Sequence, residues 1–439
     1  MDEWFNLYLY YEYKRDFPKA LDYLLKYFEL ERFNGHVKNK LKFFLQKVNE
    51  NDSFFTFEEE ALRKLKKAVS VIEHTEKAKA AEAVDILGGA EKEFLWLSRE
   101  ENSKLNDKEF EAHSLLLESI PKRFSFEVNG SCNSNCVFCG RPDSYDLFNL
   151  KAHRTRFENK LFPYLSKAEE IVLNGNGEFL LLPNAEEFLD YFDKNIPFAK
   201  KILYTNGTAL SPVLCDKIVN SAVQYVINIS LHASNRKLHT TLTQTDNFYV
   251  ILEKVKYLLK VRTTISRPKV QLIFVVNNLN IDDLPDFVKL AADLGVDRVV
   301  CCYAYIYTPM QRYLSCFFKQ LFTNRILGET REIAFKLNVK IDLPPRFGEK
   351  EYTNSGVCRA AWSQINFNYH GGVLSCERIG SLIGSLETKD FMTVWNSPSF
   401  QNLRKNLLSQ TNDSCFKRCM YAEPASVNNI DAHIFQSRI

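Results

Sequence analysis

FSFEVNGSCNSNCVFCG, residues 124–140, is a short apolar stretch that ends directly in a loop with three cysteines, Cys132, Cys136 and Cys139. An apolar run of this length, bounded by turn residues, reads as a strand buried on both faces. Five further runs follow it: EIVLNG (170–175), KILYTNG (201–207), QYVINISLHA (224–233), KVQLIFVV (269–276) and DRVVCCYAY (297–305). Between them lie stretches with apolar residues at helical spacing, among them AEEFLDYFDK, SPVLCDKIVNSA, NFYVILEKVKYLLKV and DLPDFVKLAADLG. Strand–helix alternation with apolar strands predicts an α/β fold, a parallel sheet with helices outside it. Six repeats suit a barrel or partial barrel, in which chemistry gathers on the loops after the strands' C-terminal ends. The first of those loops is the one with the three cysteines.

Three thiols are an odd number for disulfides and one short of a closed tetrahedral zinc site. No signal peptide is expected, because the first residues carry charges throughout and no apolar core precedes a small-residue cleavage site. The longest apolar stretch, VVCCYAYIY, is too short to span a bilayer. A cytoplasmic location is therefore expected, and the eleven cysteines point to metal or catalysis rather than disulfides. Thiolates suit iron–sulfur clusters or zinc. Three thiolates on a four-iron cube leave one iron without a protein ligand and open to a small molecule.

Cys-x3-Cys-x2-Cys, with Phe138 just before the last cysteine, resembles the defining motif of the radical S-adenosylmethionine (SAM) superfamily. That family carries the motif in the first strand–helix loop of a six-stranded partial barrel. The resemblance implies that Cys132, Cys136 and Cys139 hold a [4Fe-4S] cluster, that SAM chelates the open iron, and that Phe138 lines the adenine site. LNGNGEFLLLP resembles the family's glycine-glycine-glutamate motif. There Gly175 and Gly177 would let backbone approach the ligand, and Glu178 or nearby backbone would bind its amino group. Thr205–Gly207 matches a common signature, and Ser230 resembles a ligand-contacting position. Many relatives have Asp where this chain has His232. Asn277 or Asn278, after the fifth strand, is a further candidate for the bound ligand. The alternative for the three cysteines is a zinc knuckle.

CRAAWSQINFNYHGGVLSC, from Cys358 to Cys376, resembles the opening of the auxiliary-cluster module called SPASM in its long form and twitch in its short form. TVWNSPSFQNLRKNL reads as a helix between cysteine pairs, and CFKRC supplies Cys415 and Cys419. With these four cysteines the resemblance implies the shorter form, holding one auxiliary [4Fe-4S] cluster. Four thiolates close a cluster, which suits electron movement better than substrate binding; a four-cysteine zinc site is the alternative.

The resemblance implies a radical enzyme fed one electron by a flavodoxin or ferredoxin. Reductive cleavage of SAM would give a 5′-deoxyadenosyl radical, which takes hydrogen from substrate. The outcome would be oxidation, by dehydrogenation or cross-linking, or epimerisation. Cys301 and Cys302 lie near the end of the sixth strand. Alternation lets only one of them face the lumen, where a thiol could return hydrogen; otherwise both are small buried residues. Cys215 falls in a helical segment, Cys316 is unassigned, and the tyrosines of YAYIYTP decorate the same mouth or pack beneath it.

Residues 1–120 read as an all-α domain of four to six helices. FPKALDYLLKYFEL follows helical spacing, TFEEEALRKLKKAVSVIEH opens on a capping-box pattern, and DKEFEAHSLLLESI repeats the period. The expected organisation is a helical bundle over 1–120, the partial (β/α)6 TIM-like barrel over 121–337 and a small cysteine-rich module over 338–439. Hydrophobic residues make up 45%, charged residues 25%, and the formal net charge is +3 with both signs interspersed, which gives no nucleic-acid footprint. Three readings follow: an enzyme acting on a small molecule or sugar, a maturase acting on a peptide or protein, and a non-catalytic iron–sulfur or zinc protein.

Overall fold

The computed structural model describes residues 17–30, 41, 44–45, 48–49, 57, 59–70, 97–127, 130–141, 161–175, 177–262, 267–348, 357–368, 371–376, 382–386 and 389–409. The chain divides into two compact units, Met1–Lys92 and Glu93–Ile439.

In the first unit, helix α1 (Phe17–Leu30) buries Ala20, Leu21 and Leu24 in a cluster with Leu41, Phe44, Leu65, Ala68 and Val69. Residues 59–70 are helical as well. The remainder of the expected bundle lies mostly outside the described residues.

In the second unit, β1 (Arg123–Glu127), β2 (Glu170–Asn174), β3 (Lys200–Thr205), β4 (Tyr225–Ser230), β5 (Lys269–Val276) and β6 (Arg298–Tyr303) pair in parallel and in chain order. This is the six-stranded partial barrel. β7 (Ile341–Asp342) extends it beside β6. At the other edge β8 (Gln364–Phe367) pairs in parallel with β1, so the cysteine-rich module begins as a continuation of the barrel sheet. β9 (Gly372–Leu374) and β10 (Leu382–Ser385) then turn back antiparallel.

The alternation of these strands fixes two faces. Phe124, Phe126, Ile171, Leu173, Leu203, Ile227, Ile229, Leu272, Phe274, Val299 and Cys301 join the main core. Helical residues complete that core, such as Phe188 and Leu189 of the helix Ala185–Asn195 and Ile251, Val255 and Leu258 of the helix Phe248–Val261. The intervening residues face away from the helices, into the lumen. In register, one lumen level carries Ser125, Val172, Ile202 and Val226, and the next carries Asn174, Asn228 and Gln271. The helix-facing half of the sheet is thus apolar, while the lumen face is mixed, with apolar Val172, Ile202 and Val226, neutral polar Ser125, Asn174, Asn228 and Gln271, and charged Glu127 and Lys269.

The segment before β1 departs from the expected helical period. Helix α2 (Arg99–Glu111) belongs to the larger unit and ends where His113 takes φ 56°. Residues 114–120 then run without regular structure. Side chains supply the hydrogen bonds a helix would have supplied. Asn102 pairs with both the N–H and C=O of Ile120, Asn396 does the same for Leu117, and the Glu109 carboxylate accepts from the N–H groups of Glu118 and Ser119. Arg404, buried, donates to the carbonyls of Leu115, Ala361 and Trp395 and so joins this segment to the C-terminal helix Pro398–Leu408.

Candidate active site

The three-cysteine loop leaves the C-terminal end of β1 and is pinned from four directions. The N–H groups of Asn135 and Val137 donate to the carbonyls of Thr243 and Leu242, at the end of the helix Arg236–Thr243. Cys139 N–H closes a turn onto Cys136 O at 3.0 Å. Gln311 donates to the carbonyls of Val137 (2.9 Å) and Cys139 (3.1 Å), while its own oxygen accepts from the Tyr307 and Thr308 N–H groups. Arg141 reaches back to the carbonyls of Cys132 and Ser134.

Glu178 ties the loops after β1, β2 and β3 together. Its N–H donates to Ser131 O at 2.8 Å. Its carboxylate, 3% exposed, accepts from Thr205 Oγ1 (2.7 Å), Asn206 N–H (2.6 Å) and Leu180 N–H (3.2 Å). Burial pushes its pKa up, and these donors oppose the shift. Asn206 continues the clamp, donating to Asn133 Oδ1 (2.8 Å) and to Cys132 Sγ (3.7 Å). Gly175 lies in the same turn with φ 137°, and a Cβ there would meet the Glu127 side chain at 2.4 Å. Gly177 follows half-buried.

The three thiols are free and half-exposed. Burial raises the Cys132 thiol pKa and pushes Cys136 up to about 12, with the neighbouring thiolates adding to the shift and Arg141 opposing it. Burial thus favours the neutral thiol at Cys132 and Cys136, and a cationic partner at the sulfurs would favour the thiolates. Among the described residues no three His, Cys, Asp or Glu side chains converge on a single ion. A [4Fe-4S] cluster takes each of three thiolates on a different iron. Cys132 Sγ already accepts N–H bonds from Ser134 (3.4 Å) and Asn206, the outer contacts that tune a thiolate ligand. The donor set fits the group.

Phe138, 8% exposed, packs with Ala233, Leu242, Ala304, Ile306 and Leu314 and meets the His232 ring edge-on at 4.9 Å. His232 adopts φ 63°, is 4% exposed, and accepts the Val275 N–H on Nδ1, which places its proton on Nε2. Burial lowers its pKa to about 3, which favours the neutral ring. Ser230 ends β4 on the lumen face, half-buried. The Asn277 amide is spent within its own turn, donating to Val275 O and accepting from Leu279 N–H. Asn278 donates to the carbonyls of Tyr313 and Ser315. Cys301 belongs to the sheet–helix core, where burial raises its pKa well above the usual thiol value; Cys302 takes the lumen face. Cys215 and Cys316 are buried in the main core. Of the tyrosines, Tyr303 is core and bonds Pro345 O, while Tyr305 and Tyr307 lie 6.1 Å apart, ring to ring.

Cys358 is exposed and Cys376 half-buried. Leu374 pairs with Asn366, so Cys376 lies back toward the start of β8, the end that Cys358 precedes. Cys415 and Cys419 lie outside the described residues. Sequence reasoning did not single out Arg141 or Gln311. Gln311 is more than 170 residues from the loop it holds, and no local pattern marks it.

Residues 126–291 match the Radical SAM superfamily, and residues 358–420 match SPASM, an iron–sulfur cluster-binding domain. An AdoMet-dependent heme synthase of Methanosarcina barkeri is 20% identical over 323 residues, covering 66% of this chain and 86% of that protein. The antilisterial bacteriocin subtilosin biosynthesis protein AlbA of Bacillus subtilis is 27% identical over 123 residues, 27% of this chain and 26% of that one. Among solved structures, Streptococcus suis SuiB bound to S-adenosylmethionine superposes with a TM-score of 0.54 at 16% identity, covering 78% of this chain and 80% of SuiB. SuiB bound to the precursor peptide SuiA gives 0.51 at 14% identity, over 77% and 80%.

Proposed function

The chain is a radical SAM protein with a C-terminal iron–sulfur cluster-binding domain, and from that premise we propose that it abstracts hydrogen from a substrate held in the barrel lumen, oxidising or epimerising it. The observation that carries this reading is the three-cysteine loop itself, clamped at the strands' C-terminal mouth with a donor set one thiolate short of closure. When bound there, a [4Fe-4S] cluster with SAM supplies a carbon radical able to take hydrogen from an unactivated C–H bond.

This chain's own residues do the holding and the excluding. Cys132, Cys136 and Cys139 would ligate three irons. Glu178 and Asn206 fix the loops against which SAM would lie, and Phe138 closes the apolar side. The neutral His232 takes no part in proton transfer near pH 7, because burial keeps it unprotonated. Where the outcome is epimerisation, Cys302 is the thiol on the lumen face that would return hydrogen. Cys358, Cys376, Cys415 and Cys419 would hold one auxiliary cluster, which in an oxidation would accept the electron left on the substrate, while a flavodoxin or ferredoxin would feed the first cluster. The division into a helical module, a barrel and a cysteine-rich module is kept as part of this proposal, with the helix Arg99–Glu111 counted with the barrel unit.

The neutral polar groups Ser125, Asn174, Asn228 and Gln271 on the lumen face support a polar substrate, and a small molecule or sugar is the first reading. A peptide substrate is the second, supported by the likeness to a fold crystallised with a precursor peptide. Anaerobically reconstituted protein given dithionite and SAM is expected to form 5′-deoxyadenosine, and Cys132→Ala to form none. Cleavage retained in the variant would overturn the assignment.

A further inference from the structure

One lumen residue is left unsatisfied by the fold. Asn366 lies on β8, between Ile365 and Phe367, which both belong to the sheet–helix core; Phe367 stacks on Phe126 at 5.3 Å. Alternation turns Asn366 to the opposite face, into the lumen. It is 3% exposed, and among the described residues neither its Oδ1 nor its Nδ2 has a hydrogen-bond partner. Its register partner is Ser125 of β1, whose hydroxyl is already engaged with Asn174 Oδ1 at 3.0 Å. Along that level Val172, Ile202 and Val226 are apolar and offer no partner, and the level ends at Lys269 of β5.

A buried carboxamide with both ends open is costly to keep. An unpaired buried polar group forfeits its hydration, and a well-packed apolar residue of the same size would avoid the loss. Such a group in an otherwise consistent strand marks a place where the fold gives up stability for function. A carboxamide offers one donor and one acceptor side by side in a plane. Its complement is a group presenting acceptor and donor side by side: the C=O and N–H of one residue in an extended peptide, or a primary carboxamide.

From this geometry we infer that Asn366 is a substrate-positioning residue that reads an amide group, so the substrate carries an amide. The inference deepens the proposed function and rests on the lumen being the substrate chamber. It also gives β8 a role, since the first strand of the cysteine-rich module completes the substrate wall as well as leading to Cys376.

The test uses the full-length reconstituted protein, two amide probes and one control. N-acetylglycine N′-methylamide mimics an extended peptide residue, propionamide is a primary carboxamide, and glucose is the control. Saturation-transfer NMR is expected to detect at least one amide bound to wild type, with binding at least tenfold weaker in Asn366→Leu. Which amide binds tells a peptide source from a small-molecule one. Asn366→Leu is expected to melt at or above the wild-type temperature, because it removes an unsatisfied buried amide, so loss of binding is separated from loss of folding. Asn366→Gln, which keeps the carboxamide, is expected to recover part of the binding. Equal amide binding by wild type and Asn366→Leu, as a trapped water on Asn366 would give, overturns the inference. So does binding of glucose, and not the amides, that Asn366→Leu abolishes. Failure of the proposed function reads differently, as absence of 5′-deoxyadenosine from wild type.

Discussion

His232 shows how little a residue's type says about its role before its surroundings are known. It follows the fourth strand at the mouth of the barrel, where a titrating group would suggest acid–base work. Instead its Nδ1 is occupied by the Val275 N–H, its ring packs against Phe138, and burial lowers its pKa to about 3. An unfolded histidine titrates near pH 6.5. Between those two values the unfolded chain binds a proton that the folded chain refuses, so stability falls as pH drops through that window. Denaturant midpoints followed from pH 7 to pH 4 should therefore decline. His232→Asn, which tolerates the left-handed backbone and carries no titrating group, should show a shallower decline. A slope unchanged in the variant would place the sensitivity elsewhere. Glu178 makes the complementary point. LNGNGE marked it as a candidate for the SAM amino group, but its partners in the fold were not legible. The carboxylate spends its bonds on Thr205, Asn206 and Leu180, which makes it the fastener of three loops.

The elements that hold the cysteine loop come from distant parts of the chain. The helix Arg236–Thr243 receives it through backbone bonds, and Gln311 receives it through a side chain placed by the turn Pro309–Leu314. Gln311→Glu replaces the donor that serves two carbonyls with an acceptor, leaving Val137 O and Cys139 O facing like charge. Iron should then be lost to a chelator several times faster than from wild type, with the far-UV circular dichroism unchanged. Equal rates of iron loss would mean that the loop is held without Gln311. At this scale the sequence was most readable. All six barrel strands start within one residue of the apolar runs, because a buried parallel strand must be apolar and a helix must show its period. The second half of DKEFEAHSLLLESI failed for the reason those runs succeeded, its first residues being the end of the helix Arg99–Glu111. Its apolar spacing is helical, yet Asn102, Glu109 and Asn396 satisfy the backbone of residues 117–120 from outside, so no helix is needed there. No local pattern announces a hydrogen-bond partner almost three hundred residues away.

At the scale of the whole molecule, one sheet carries both functional regions. β1 leads to the three-cysteine loop at one end, and β8, its neighbour, begins the module that holds Cys358 and Cys376. Register therefore couples the substrate wall to both. The cysteine spacings predicted that the two regions exist; the parallel β1–β8 pairing came only with the structure, since nothing in the short, loop-rich segment before Gln364 signals a strand returning to the barrel. Among the described residues no helix is long and apolar enough to cross a membrane. The central claim is that the first cysteine set leaves one iron open to SAM while the second does not. Electron paramagnetic resonance of the reduced, reconstituted protein tests it directly, recorded before and after SAM is added. Wild type and the Cys358→Ser, Cys376→Ser double variant should both show a cluster signal that changes on addition, whereas the Cys132→Ala, Cys136→Ala, Cys139→Ala triple variant should show none that does. A SAM-dependent change that survives in the triple variant, or is missing from wild type, would contradict the account.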